Sequence, residues 1–179
     1  MVTRPQSDEY APFYAGYIER VPDDTDVFDM LSQQPGGLRH LLRNTPDSEA
    51  SFRPAPGEWS IKEVLGHLLD TERIFSYRAL RISRGDTTPM NGFEQDEYVR
   101  ATDFNARLMK DLLDEFEMRR RANVLSFKPL PEEELARRGV ANNAEITVRA
   151  LLYAMAGHVA HHMESLRDVY NVSGEIPAV

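Results

Sequence analysis

The chain has 179 residues, a formal charge of −8, 41% hydrophobic residues and no cysteine. That length suits one domain with a sizeable core, and the missing cysteines exclude both a disulfide framework and a thiolate metal site. The excess of acid opposes nucleic-acid and anionic-membrane surfaces, and no apolar run approaches the ~20 residues that span a bilayer.

Residues 1–22 read as an N-terminal arm and residues 23–179 as one domain. The first ten residues are polar and lack the basic-then-apolar layout of a secretion signal, so a cytoplasmic location is expected. Tyr10, Phe13, Tyr14, Tyr17 and Ile18 have partly helical spacing, which should pack part of the arm on the body. Asp23, Asp24, Thr25 and Asp26 offer caps for a first helix reaching about Asn44. Pro35-Gly36-Gly37 should kink or interrupt that helix.

A proline-rich loop, 45–58, leads to Trp59 and the capping box Ser60-Ile61-Lys62-Glu63. The second helix runs to about Arg84 and stops at Gly85, with Ile61, Val64, Leu65, Leu68, Phe75, Ala79 and Ile82 at helical spacing. Residues 87–101 form a long loop. Thr102 or Asp103 caps a third helix that ends before Pro129. Within it, Arg119-Arg120-Arg121 sits among glutamates and reads as a solvated face, since a nucleic-acid surface needs a larger basic patch with interleaved aromatics. Pro131 opens a short helical turn, Gly139 to Glu145 reads as another turn, and Thr147 starts a fourth helix reaching about Tyr170. No segment reads as a strand. Four amphipathic helices predict an all-α four-helix bundle with an N-terminal arm.

Three of the five histidines fall in Gly157-His158-Val159-Ala160-His161-His162. Positions four apart share a helix face, so His158 and His162 can share one metal ion. On a helical wheel started at Val148, His158 and His162 fall on the side of Met155 and the core stripe, whereas His161 turns away toward the edge. On the second helix His67 falls on the shoulder of the apolar stripe. Three imidazoles leave an open coordination position, a known catalytic arrangement for zinc. Val159 stands where a zinc protease carries glutamate, so that motif and its general base are absent. A structural role suffices for His40. Glu72 falls in the centre of the apolar stripe of the second helix. It needs a partner there, either an arginine such as Arg78 or Arg149, or a ligand imidazole. Asp70 reads as an outward helix-face charge.

At these residues the chain resembles the DinB/YfiT-like family of metal-dependent enzymes. The matching stretches are Glu58 to Glu72, with its Trp59 before the helix and His67 inside it, Thr147 leading into Leu151-Leu152, and Gly157 to His162. The resemblance implies a four-helix bundle, often a homodimer. It also implies a metal held by one histidine of the second helix and a His-x-x-x-His pair on the last, which fall on His67, His158 and His162. Relatives include S-transferases and isomerases that use low-molecular-weight thiols.

The expectation is a metal-dependent enzyme, a thiol S-transferase or hydrolase, using one Zn²⁺ or Ni²⁺ ion and a small-molecule substrate, with no nucleic-acid or membrane partner and with His161 as a candidate proton carrier. The competing reading is a non-catalytic protein in which the metal only ties helices together.

Overall fold

The computed structural model describes residues 1–170 and 172. Four long helices form the bundle: α2 (Val27–Leu42), α3 (Ile61–Ser83), α5 (Met109–Phe127) and α7 (Val148–Asp168). Helix α3 packs on α5 and α7, and α2 packs on the same two. The starts of three helices are fixed by side-chain caps. The Asp26 carboxylate accepts from the Phe28 amide, Ser60 and Glu63 form the reciprocal capping box, and the Thr147 hydroxyl accepts from the Ala150 amide, each satisfying a donor that the first helical turn leaves unpaired.

Pro35 does not interrupt α2. Proline at that position leaves the carbonyl of Leu31, four residues back, without its helical donor. The Arg120 guanidinium faces that carbonyl at 3.5 Å from Nη1. The third helix begins at Met109, later than its predicted cap. Asp103 instead caps a 3-10 turn, Phe104–Ala106, and the Asp47 carboxylate accepts from the Met109 amide at 2.6 Å. The loop before it contains a short helix, α4 (Gln95–Arg100), and Pro131 precedes α6 (Glu132–Leu135).

The turn expected at 139–145 is a β-hairpin. Strands β1 (Arg138–Ala141) and β2 (Ala144–Thr147) pair antiparallel, with Arg138 opposite Thr147 and Ala141 opposite Ala144. Asn142 and Asn143 turn the chain at φ 53° and 60°, the doubly left-handed geometry of a tight hairpin that asparagine tolerates.

The arm is woven into the bundle. Its short helix α1 (Ala15–Ile18) packs against α7, and Tyr14, Ile18 and Val21 are buried. The approach is close enough that a Cβ on Gly157 would lie 1.7 Å from the Tyr17 carbonyl oxygen. Glu9 anchors the arm further along: its carboxylate accepts from Arg149 at 2.6 and 2.7 Å and from the Thr147 hydroxyl at 2.9 Å.

The bundle centre is polar. Arg120, read as part of a solvated face, has a side chain only 1% exposed and forks onto Glu72, itself 2% exposed, with Nε and Nη2 at 2.9 and 2.8 Å. Asn123 also donates to Glu72, Arg120 donates to Gln34, and Gln34 donates to the Ala156 carbonyl. This chain of bonds joins all four bundle helices. It corrects the expected partners of Glu72: Arg149 belongs to Glu9, and Arg78 donates to the Asn91 carbonyl. A Glu–Arg pair this deep is tolerable because every charged edge is hydrogen-bonded.

Candidate metal centre

His67 lies two turns into α3, and His158 and His162 lie one turn apart in the middle of α7. Because α3 and α7 pack together, all three imidazoles meet. One ring nitrogen from each lies within 4.8 Å of the others. The Nε2 atoms of His67 and His158 are 2.9 Å apart, and those of His158 and His162 are 3.2 Å apart. His161, on the same helix, stands outside this trio, with its ring 5.8 Å from that of Tyr17. His40 is exposed on α2, away from any core stripe. Asp70 is half-buried and paired with Arg73 at 2.9 Å.

The donor chemistry fits a transition-metal ion. A neutral imidazole carries one N–H, so two neighbours converging on His158 Nε2 cannot both find a suitable partner there. With Zn–N near 2.0–2.1 Å, a tetrahedral site needs nitrogens roughly 3.3 Å apart, within a few tenths of the observed separations. Burial first, then the charge of His161, brings the His67 pKa down to about 4. Burial first, then the charges of His67 and His161, brings His162 to about 3. His158 is also held well below the ordinary value, by burial foremost and then by His162. All three are therefore neutral near pH 7 and able to act as ligands. Nitrogen donors of this kind suit zinc or nickel and serve magnesium or calcium poorly.

Around the trio, the Trp59 ring packs 4.8 Å from His67, and the Tyr17 ring meets His158 edge-on at 5.3 Å. A cavity of about 290 Å³ opens on His67 and His158, walled by Phe13, Tyr14 and Tyr17 of the arm and by Thr71 and Phe75 of α3. Tyr17 is the site residue that sequence reasoning placed only in a packing role. Its spacing in the arm marked an apolar face, but no local signal tied that face to the histidine helix.

The profile of the DinB superfamily matches residues 30–166. The chain belongs to this superfamily. An Oceanobacillus iheyensis protein named "Putative metal-dependent hydrolase OB0413" is 25% identical over 147 residues, covering 79% of this chain and 84% of that protein. The solved structure of YfiT from Bacillus subtilis, described as a probable metal-dependent hydrolase with an unusual four-helix bundle topology, superposes with a TM-score of 0.74 at 16% identity, over 92% of each chain. That of a mycothiol-dependent maleylpyruvate isomerase gives a TM-score of 0.62 at 13% identity, over 86% of this chain and 65% of the other. These two likenesses establish the DinB-type fold. No helix among the described residues is long and apolar enough to cross a membrane.

Proposed function

We propose that this DinB-superfamily protein is a metal-dependent enzyme acting on a small molecule, with His67, His158 and His162 holding one divalent transition-metal ion, zinc or nickel. The observation that carries the reading is the cavity that reaches two of the three imidazoles. A metal that merely tied α3 to α7 would need no such opening, whereas a catalytic one needs an open position. When bound, the metal supplies Lewis acidity, activating a water or a thiol at neutral pH.

Thiol S-transfer is the first reading of the reaction, and hydrolysis the second. Besides the other two imidazoles, the Tyr17 phenol packs on His158, and burial raises it above the ordinary value of 10. At pH 7 it therefore offers a hydroxyl donor, not a base. A bound ion would acidify a thiol or a water alike, but a thiol is intrinsically the stronger nucleophile and depends less on a positioned general base than water does. Among the similar proteins, one is named a mycothiol-dependent isomerase and two are described as a "putative" and a "probable" metal-dependent hydrolase, which accords with these two chemistries. His161 is a candidate proton carrier at the rim of the trio. The chain is proposed to work as a homodimer in the cytoplasm. Exposed Met118 and Leu125, seven residues apart on α5, support a helical interface.

The test is elemental analysis of the purified protein together with turnover assays, using low-molecular-weight thiols paired with electrophiles in one set and esters and amides in the other. One equivalent of transition metal and metal-dependent turnover in either set is expected. A protein that takes up no transition metal on reconstitution would sink the proposal. Metal without turnover in both sets would favour the helix-tying role.

A further inference from the structure

Two buried polar groups in the cavity wall are incompletely satisfied, one a hydroxyl with no hydrogen bond and the other a guanidinium with no carboxylate. The Thr71 hydroxyl, on a residue 3% exposed, makes no hydrogen bond among the described residues. Arg78 is also 3% exposed, and among the described residues no carboxylate pairs with it. Its Nη2 donates to the Asn91 carbonyl at 2.8 Å, and its guanidinium carbon lies 5.9 Å from the Phe75 ring centroid. The Tyr14 phenol beside it is held above the ordinary 10, by burial foremost, with the charge of Arg78 and a hydrogen bond from it opposing, and so is a neutral partner that brings no negative charge at pH 7. Two other inward-facing arginines are treated differently by the fold: Arg120 and Arg149 each fork onto a buried glutamate. A buried guanidinium without a carboxylate is costly, and its planar fork matches a carboxylate in two bonds.

Both groups line the 290 Å³ cavity that opens on His67 and His158, and aromatic rings make up much of the remaining wall. Residues 67, 71 and 78 follow one another along α3. At 1.5 Å rise per residue, Thr71 sits about 6 Å beyond His67 and Arg78 about 16 Å beyond it along the axis. A ligand in this cavity therefore meets the imidazoles at one end, an unpartnered hydroxyl in the middle and a guanidinium without a carboxylate at the other end. Glu94 and Asp96 stand on the rim, exposed to solvent, where water screens them.

We infer that the cavity is a binding subsite for a small carboxylate carried on an aromatic or other apolar body, with Arg78 receiving the carboxylate and Thr71 bonding a polar group on the same molecule. The assignment of the opposite end as the reacting end rests on the proposed metal function. The binding itself does not.

The probe is phenylacetate, titrated by calorimetry at pH 7 into the full chain, with phenylacetamide as the uncharged control. The acid should bind at least tenfold more tightly than the amide. Arg78→Gln should remove that preference and Arg78→Lys should retain part of it, each with its fold checked by circular dichroism. The acid–amide comparison needs no variant, so it stands even if Arg78→Gln fails to fold. 4-Hydroxyphenylacetate should outbind phenylacetate, and Thr71→Val should erase that difference; an unchanged difference would remove Thr71 from the subsite.

Each titration is repeated after chelation of metal. Acid preference that persists without metal and depends on Arg78 supports the subsite, even in a protein that proves to bind no metal. Acid binding that vanishes on chelation yet survives Arg78→Gln would show the carboxylate ligating the metal and overturn the inference. Equal affinity for acid and amide, or stronger binding of phenyltrimethylammonium to the rings and the rim acids, would overturn it too.

Discussion

The Tyr17 ring meets the His158 imidazole edge-on, with centroids 5.3 Å apart and planes at 87°. The contact makes the N-terminal arm a wall of the candidate metal centre. Three of its four aromatics, Phe13, Tyr14 and Tyr17, line the cavity beside the imidazoles, yet none of the three metal-binding candidates lies in the arm. Arm and metal content should therefore be separable.

Gly157→Ala tests the seating of the arm. The new methyl would collide with the Tyr17 carbonyl, and backbone cannot yield as a flexible side chain can. The expected loss is about 1–3 kcal/mol, as for overpacking in general, seen as a lower urea midpoint. Limited proteolysis should cut faster within residues 1–22, with metal content retained. Unchanged proteolysis would mean that the arm is not held at this point.

Removal of single imidazoles tests the proposed ligand set. His162→Ala should weaken zinc binding by more than the roughly 10–100-fold typical of a change behind the ligands. His161→Ala should leave stoichiometry at one per chain. Competition against a chromophoric chelator reads both. Loss of metal in His161→Ala with retention in His162→Ala would reverse the assignment.

Glu72→Ala tests what the buried carboxylate does. It contacts Arg120 and Asn123, so its loss leaves a guanidinium buried and unpaired, at a cost of about 3–5 kcal/mol. Chemical unfolding should show that loss, with zinc affinity of the folded variant nearly unchanged. A selective loss of metal affinity at normal stability would instead place Glu72 behind a ligand imidazole.

Glu9 gives a pH dependence of defined sign. Burial pushes its carboxyl up, but hydrogen bonds from Arg149, the Gln6 amide and Thr147 outweigh burial and hold it below the ordinary 4.5. The unfolded chain therefore takes up the proton first as pH falls, so the contribution is full above about pH 4.5 and is lost as pH drops through the folded value. Glu9→Gln should cost about 1.5–3 kcal/mol at pH 7, the range for a hydrogen bond to a charged group. The gap in melting temperature between Glu9→Gln and the parent should narrow below pH 4.5. A gap that stays constant with pH would show that the charge of Glu9 is not what anchors the arm.

The sequence by itself determined what depends on neighbours a few residues apart. Helical periodicity located the four long helices, Ser60-Ile61-Lys62-Glu63 carried its own cap, and the four-residue step put His158 and His162 on one face with His161 turned aside. Of the hairpin only a turn at Gly139 to Glu145 was legible, because four-residue strands are too short to show alternation. Tertiary structure decided what depends on reach between elements. The wheel showed that Glu72 points inward and needs a partner, but not that the partner is Arg120, 48 residues away on α5. A run of three arginines reads as solvated when only their own helix is considered, and only the facing carboxylate on α3 makes burial of the middle one tolerable. The same holds for Tyr17 and for Arg78: local spacing sets the direction of a side chain, and packing of separate elements sets what it meets.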